Sequence, residues 1–216
     1  MCEDAAERLE FIRHIPKRRL VIGMCQEPLR QMLDLIDGDF CHGGVWDIEK
    51  PFPQKGYDFV ALIGQLDAIN DLPGTLIHIR NALTPGGLAI ASFVGGASLP
   101  KLRAAMLAAD GDRPAARIHP MVDHRAAPQL LQRAGWSDPV VDTHKLTVRY
   151  SSLDRLVHDL RDHGLTSALA DPAPPLGKAA LARARSAFLD QADEDGKVSD
   201  VFEIITLTGR RSLAGT

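Results

Sequence analysis

The stretch that decides the fold is Tyr57–Phe93, YDFVALIGQLDAINDLPGTLIHIRNALTPGGLAIASF. The continuous apolar run at 59–63 is typical of a strand that is covered on both faces of a parallel sheet. Asp71 is placed to cap a helix, which the Pro-Gly-Gly turn at 85–87 ends before a second buried strand at 88–93. This order of strand, helix and strand predicts one half of a doubly wound α/β sheet.

The sequence on either side of this stretch continues the alternation of helices and strands. Apolar residues recur at helical spacing in some segments, whereas alternating or β-branched residues mark others. The last two predicted strands could pair antiparallel. The predicted helices lie at 5–14, 28–36, 98–109 with Ser98 as its cap, 123–134, 152–163 and 177–191, and the other predicted strands lie at 20–24, 140–150 and 201–207.

These elements predict one domain over residues 1–216, with a helical insertion at about 151–200 between the last two strands. A chain of this length can bury the full core of one α/β unit. The predicted fold class is a mostly parallel, doubly wound α/β sheet with an antiparallel C-terminal strand.

The composition is that of a globular protein without membrane spans. The chain is 45% hydrophobic and 25% charged, and no apolar run approaches the roughly 18 residues that cross a bilayer. A formal net charge of -3 provides no basic field for nucleic acid. The acidic N-terminus lacks the features of a secretory signal, so a cytoplasmic location is expected.

The cysteines and histidines predict neither a disulfide framework nor a metal site. Cys2, Cys25 and Cys41 lack CxxC spacing, and the eight histidines are scattered singly. Structural zinc sites need closely spaced groups of such ligands.

The central stretch and the segments after it carry a recognisable family pattern. NDLP at 70–73, PGG at 85–87, GGASLPKLR at 95–103 and FEIITLTG at 202–209 follow one another in the family's order. With these motifs the chain resembles methyltransferase-like proteins related to the malonyl-carrier-protein methyltransferase of biotin synthesis. The resemblance is closer to the mitochondrial complex I assembly factor of methyltransferase fold and its alphaproteobacterial relatives.

The resemblance implies a Rossmann-like class I methyltransferase fold of seven strands, the last one antiparallel. For catalytically competent relatives it also implies S-adenosylmethionine, whose sulfonium methyl is transferred by in-line displacement. Because the cofactor brings the activated group, the protein chiefly positions the reactants. The cofactor-binding loops are therefore the features that the sequence should show best.

The segment LVIGMCQEPL at 20–29 departs from the family's glycine loop, which is close to LDLGCGxG. Aligning on Cys25 puts Met24 at the first glycine and Pro28 at the later one, and shifting by one residue recovers Gly23 alone. Side chains there occupy space that the cofactor needs, and Pro28 lacks a backbone donor. Gly23 and Met24 are the candidate cofactor contacts, with an ordinary strand-end glycine as the favoured alternative for Gly23.

The spacing also departs from the family. Cys25 and Asp47 are 22 residues apart, whereas typical relatives have about 45 to 55 residues there, enough for a βαβ passage. We therefore expect the first half of the fold to be shortened. Relatives carry in this segment the acidic residue that binds the ribose hydroxyls. Asp37 and Asp39 are the nearby substitutes, and a solvated turn is their favoured alternative.

Two other segments keep candidate contacts to S-adenosylmethionine. WDIEKPF at 46–52 resembles the family's D-x-E-x-LPF segment, so Asp47 and Ile48 are candidates on the adenine side, with a structural cap as the alternative for Asp47. Gly64 and Gln65 follow the central strand and face the methionine side. Asp67 stands in place of a family histidine and is the single candidate for a catalytic base, although no catalytic residue is assigned.

Three residues in later matched segments have both a binding and a structural interpretation. Arg103, at the end of GGASLPKLR, could bind an anionic group or anchor its helix to the sheet, and the anchor is favoured. Arg149 and Tyr150 end a late strand, where a structural role is favoured.

Three functional hypotheses follow from these observations. The first is a methyltransferase-like protein, a pseudoenzyme with a degenerate cofactor motif, that binds S-adenosylmethionine weakly or not at all and serves as a protein-binding or assembly factor. The second is an active, divergent methyltransferase acting on a small molecule, an acyl carrier or a protein. The third, more remote, is oxidation of a protein side chain. A crevice filled by Met24, Gln26 or the loop around Cys41 would favour the first.

Overall fold

A computed structural model describes residues 1–33, 40–41, 47–166 and 169–213 of the chain. For Phe40 and Cys41 it describes the backbone alone. The chain divides into two compact units. The first contains Met1–Gly95, Val122–His144 and Ile204–Thr216, and the second contains Gly96–Met121 and Lys145–Glu203.

Helices and strands alternate along the described residues. The helices are α1 (Cys2–Ile12), α2 (Leu29–Met32), α3 (Leu72–Ala82), α4 (Pro100–Asp110), α5 (Ala127–Arg133), α6 (Leu153–Asp162) and α7 (Lys178–Leu189). The strands are β1 (Arg19–Gly23), β2 (Phe40–Cys41), β3 (Tyr57–Ile63), β4 (Leu83–Val94), β5 (Trp136–Tyr150) and β6 (Val198–Arg211).

The strands form one sheet in the order β2-β1-β3-β4-β6-β5. Strand β1 pairs in parallel with β2 and β3, and β3 pairs in parallel with β4. Strand β6 runs antiparallel to β4, from the pair Leu88 and Arg210 to the pair Val94 and Ile204. The predicted fold class, a mostly parallel sheet with an antiparallel C-terminal strand, is confirmed.

The first half of the sheet is short. The described residues contain six strands, whereas the family resemblance implied seven. Two residues of β2 are described. Between β2 and β3, the described residues at 47–56 form turns and loop. The helix predicted at 28–36 is present as the single turn α2, and the rest of that prediction, at 34–36, lies outside the described residues.

The sheet of the first unit is covered by helices on both faces. On one face, Phe59 and Ala61 of β3 pack with Ala6 and Leu9 of α1 and with Leu29 of α2. The opposite face carries the alternate residues. There Val60 and Leu62 of β3 pack with Leu76 and Ile79 of α3 and with Leu131 of α5. Successive strand residues point to opposite faces, so an uninterrupted apolar run is what a doubly covered strand requires.

Helix α3 begins as the sequence predicted. The carboxylate Oδ1 of Asp71 accepts a hydrogen bond from the Gly74 backbone N–H at 2.9 Å, and Pro73 lies within the first turn, where its missing N–H is not needed. The cap stabilises a helix that buries Leu76 and Ile79 against the sheet.

Helix α4 of the second unit is capped by a residue far away in the sequence. The prediction of Ser98 as its cap is wrong, because the Ser98 hydroxyl bonds the backbone of Glu203 instead. The buried carboxylate of Asp200 accepts from the backbone N–H groups of Lys101 at 3.3 Å and Leu102 at 2.9 Å. A carboxylate in this place satisfies free donors of the first turn and complements the helix dipole.

The Asp200→Ala variant should therefore be less stable by about 2 kcal/mol, because the N–H groups of the first turn lose their acceptor inside the protein. Urea unfolding followed by circular dichroism measures this. Asp171→Ala, at an exposed loop position, is the control and should stay within about 0.5 kcal/mol of the parent. Equal unfolding midpoints for the two variants would contradict the capping role.

Candidate functional site at the ends of the parallel strands

The carboxyl ends of β1 and β3 meet at one edge of the sheet. The last residue of β1, Gly23, is paired with Ile63, the last residue of β3. In doubly wound sheets this edge is where ligands bind. Four of the predicted contacts, Gly23, Met24, Gly64 and Gln65, belong to the chain where it leaves these two strands.

Gly23 is a position that only glycine can occupy without strain. Its φ of +104° lies in the region that favours glycine, and an added Cβ would stand 2.0 Å from the Ile63 carbonyl oxygen. The same Cβ would stand 2.9 Å from Cγ of Gln65. The Gln65 side chain thus lies directly against Gly23.

Gly64 and Gln65 form the turn that follows β3. The Gly64 N–H donates to the Ser92 carbonyl at 2.8 Å, which continues the pairing with β4. The Gln65 side chain folds back and donates from Nε2 to the Gly64 carbonyl at 2.9 Å. An added Cβ on Gly64 would meet no atom within 4 Å, although its φ is +64°. The space beside Gly64 is therefore open, whereas that beside Gly23 is filled.

The segment after β1 is tied to the first helix. The thiol of Cys2 in α1 donates to the Met24 carbonyl at 3.4 Å, and the Gln26 N–H donates to the same sulfur at 3.4 Å. Cys2 was not among the predicted site residues, because nothing in the sequence pattern links it to residues so distant. A crevice filled by Met24 or Gln26 would favour the first hypothesis, and here Met24 is 50% exposed and Gln26 is exposed as well. The side chain of Cys41 lies outside the described residues.

Cys25 lies partly buried beside this segment. Burial, reinforced by the nearby Cys2 thiol, raises the pKa of the Cys25 thiol to about 11. A thiol with such a pKa stays protonated at neutral pH and is a poor nucleophile.

Asp47 caps a turn. Its Oδ1 accepts from the Glu49 N–H at 3.1 Å, and Oδ2 is 3.0 Å from Lys50 Nζ. The hydrogen bond from Lys50, with that from Glu49, lowers the pKa of Asp47. The side chain of Ile48 is buried in the core. The structural alternative for Asp47 accounts for all these contacts, and the cofactor contacts of Asp47 and Ile48 stay predictions.

Glu49 connects the Asp47 turn to the segment that follows β3. Its Oε1 accepts from the backbone N–H groups of Asn70 at 3.0 Å and Asp71 at 2.6 Å. Glu49 was not among the predicted site residues, although its place in the D-x-E pattern was a signal. Through it, the Asp47 turn is held against the start of α3.

The remaining candidates do not form a recognisable catalytic group. Asp67 is half-buried in the segment between β3 and α3, and its role as a base stays a prediction. Asp37 and Asp39 lie outside the described residues. Within the described ranges, no three histidine, cysteine, aspartate or glutamate side chains gather as metal ligands would. In the same ranges, no helix is both long and apolar enough to cross a membrane.

The three later residues have structural partners in the second unit. Arg103 Nε donates to the Ser98 carbonyl at 3.1 Å, which ties α4 to the segment before it. Arg149 forms an ion pair with Asp195, and the Tyr150 hydroxyl donates to Asp159. The structural interpretation of Arg149 and Tyr150 accounts for these bonds.

Comparisons with known proteins give a consistent assignment. Residues 23–139 match the family described as the methyltransferase domain. The chain is 31% identical over 156 residues to malonyl-[acyl-carrier protein] O-methyltransferase 1 of Coxiella burnetii, covering 72% of this chain and 54% of that protein. It is 28% identical over 163 residues to the mitochondrial arginine hydroxylase NDUFAF5 of Rattus norvegicus, covering 74% and 48% respectively.

A solved structure agrees with these sequence matches. A Bacillus halodurans protein provisionally assigned as a methyltransferase superposes with a TM-score of 0.56 at 12% identity, covering 96% of this chain and 98% of that one. At this identity the match concerns the fold alone. The chain spans about half the length of the two curated relatives.

The contrast between the two glycines leads to a matched pair of variants. Gly64→Ala should lower the free energy of unfolding by about 1 kcal/mol, because alanine is strained in the left-handed region even where its Cβ meets no other atom. In Gly23→Ala the new Cβ also collides with the Ile63 carbonyl, so the free energy of unfolding should fall by at least about 2 kcal/mol more than in Gly64→Ala. Urea unfolding midpoints with unchanged m-values give both numbers. If the two losses are equal, the close approach at Gly23 does not exist in solution.

The raised pKa of Cys25 also has a measurable consequence. At pH 8 its thiolate fraction should be about 100-fold below that of a thiol with a pKa of 9, so alkylation should slow accordingly. Iodoacetamide labelling followed by peptide mass spectrometry measures the rate. The same residue in urea is the control, and equal rates in both states would show that burial does not protect Cys25.

Proposed function

Because the chain belongs to the methyltransferase domain family, we propose that it keeps the methyltransferase fold but binds S-adenosylmethionine weakly or not at all. In this proposal the protein acts by binding a protein partner, as an assembly factor does. The observation that carries the proposal is the Gln65 side chain lying against Gly23.

The position of Gln65 supports the proposal by occupying space that the cofactor needs. A methyltransferase of this fold passes its cofactor close over the backbone at the end of the first strand, which is why glycines are needed there. In this chain the glycine is present, but the Gln65 side chain lies beside it in the position proposed for the cofactor. A 2.9 Å hydrogen bond from Gln65 Nε2 to the Gly64 carbonyl holds that side chain.

The segment after Gly23 supports the proposal because two of its positions offer no free backbone donor. The Gln26 N–H already donates to Cys2, and Pro28 has none. In the alignment on Cys25, Met24 and Pro28 bear side chains where the family has glycine. The described residues of this edge therefore do not fit S-adenosylmethionine, which brings an activated methyl group when bound and relies on the protein for positioning.

A protein partner is supported by the names of the relatives. The protein of Coxiella burnetii is named for a substrate attached to acyl-carrier protein. One fold can serve several functions, and in this proposal the chain keeps a surface for a protein partner without the methyl transfer. The soluble interior of the cell is the proposed location.

Calorimetric titration with S-adenosylhomocysteine tests the proposal. We expect no saturable binding up to about 1 mM, which corresponds to less than about 4 kcal/mol of binding free energy. A dissociation constant in the micromolar range for the unmodified chain would overturn the proposal.

A matched pair of variants isolates Gln65. Gln65→Ala opens the space over Gly23 and should tighten binding of S-adenosylhomocysteine at least about 10-fold, into the measurable range. The control is Gln129→Ala, at an exposed position of α5, which should leave binding unchanged. If neither variant gains affinity, Gln65 is not the group that excludes the cofactor.

The alternative function is an active, divergent methyltransferase with Asp47, Gly64, Gln65 and Asp67 along a remodelled pocket. The open space beside Gly64 favours it. Incubation with S-adenosylmethionine and malonyl-acyl-carrier protein, followed by mass spectrometry of the carrier, distinguishes the two functions. Transfer of one methyl group per carrier would support the alternative, and an unchanged carrier mass is expected from the first proposal.

A further inference from the structure

Two thiols meet near the carboxyl end of β1, although they come from different elements of the first unit. Cys2 is the first residue of α1, and Cys25 lies in the segment that follows β1. The Cys2 thiol donates to the Met24 carbonyl at 3.4 Å, and its sulfur accepts from the Gln26 N–H at 3.4 Å. Because these two residues are the chain neighbours of Cys25, the bonds place the Cys2 sulfur beside its backbone.

The side chains of the two cysteines are also in contact. The Cys25 thiol has the Cys2 thiol as a hydrogen-bond neighbour, and both side chains pack against the apolar cluster that α1 forms with the sheet. Both thiols are free and partly exposed, so a small reagent in solution can reach them. This is an arrangement from which a disulfide forms without a large movement of the backbone.

We propose that Cys2 and Cys25 form a reversible disulfide when the protein meets an oxidant of the low-molecular-weight disulfide class, such as oxidised glutathione. The bond joins the first turn of α1 to the segment after β1, at the edge of the sheet that carries Gly23. It makes the cysteine pair a modification site beside the candidate functional site. Its formation does not depend on whether that edge binds a cofactor.

The disulfide forms by two displacements. The Cys2 thiolate attacks one sulfur of the oxidant, whose S–S bond breaks, and one glutathione thiolate leaves. The Cys25 thiolate then attacks the Cys2 sulfur of this mixed disulfide, and the second glutathione thiolate leaves. The two cysteines each lose a proton and together lose two electrons, which reduce the oxidant, and the leaving thiolates take up the protons.

The surroundings of Cys25 favour this order of attack. Burial, followed by the charge of an ionised Cys2 and the hydrogen bond between the thiols, raises the pKa of Cys25 to about 11. Cys25 therefore stays protonated while Cys2 is free, and Cys2 reacts first. In the mixed disulfide Cys2 carries no charge, whereas the charge of Arg30, which lowers the pKa of Cys25, remains. Cys25 thus ionises more readily at the step in which it must attack.

Equilibration of the chain with mixtures of reduced and oxidised glutathione tests the proposal. After acid quenching and blocking of free thiols, trypsin places the three cysteines in separate peptides, 1–8, 20–30 and 31–55. Mass spectrometry without reduction should find 1–8 linked to 20–30, lighter by two hydrogen atoms than the two peptides together. A stable glutathione adduct without linkage, or linkage mainly to 31–55, would overturn the proposal.

The same equilibration in concentrated urea tests the contribution of the fold. The effective concentration of the Cys2 and Cys25 thiols should be at least about 100-fold higher in the folded chain, because its contacts hold the two sulfurs together before oxidation. Equal values in the two states would show that the folded protein does not bring these thiols together, and the proposal would then be wrong.

Variants assign the bond and its effect. Cys41→Ser removes the third cysteine and is the control, which should form the linked peptide like the parent. Oxidation of this variant should raise its Tm by at least about 5 °C, because the disulfide constrains the unfolded chain. Cys2→Ser and Cys25→Ser, treated with the same oxidant, should show no such rise. Thermal unfolding followed by circular dichroism measures all three, and an unchanged Tm in oxidised Cys41→Ser or an equal rise in the other two would contradict the proposal.

Discussion

The pairing of β3 with β4 is the interaction on which the rest of the first unit depends. Five consecutive residues of each strand are hydrogen-bonded in register, from Phe59 with Leu88 to Ile63 with Ser92. Both strands are buried on both faces, so each face needs a helix layer, and α1 with α2 and α3 with α5 supply them. The last pair of this register also fixes where the chain leaves the sheet at Gly64. The geometry of the candidate site is therefore a consequence of core packing.

One side chain covers the end of β1 at that edge. Gln65 satisfies its own amide by bonding back to the Gly64 carbonyl, and in doing so it covers Gly23. The Cys2 contacts hold the neighbouring segment from the other side. The family match covers residues 23–139 and so includes both residues of the sheet and the strand ends, and a shared fold does not by itself establish a shared activity.

The sequence could predict the elements whose causes are local. The apolar run at 59–63 and the cap at Asp71 required only periodicity and turn chemistry, and both are present. It could not predict that Asp200 caps α4 or that Gln65 folds over Gly23. The first needs a partner about a hundred positions away, and the second depends on a side-chain rotamer. Likewise, the bond that anchors Arg103 to the Ser98 carbonyl could not be predicted from the sequence, which left two interpretations of this residue open.

The cap of α4 by Asp200 couples two distant parts of the chain during folding. A helix with a local cap can form before the rest of the protein, whereas α4 must wait for β6 to supply its acceptor. The contact closes a loop of about one hundred residues, and such closure raises contact order and slows folding. Strand β6 therefore completes both the sheet and the first turn of α4, so the second unit gains its full stability only when β6 is in place.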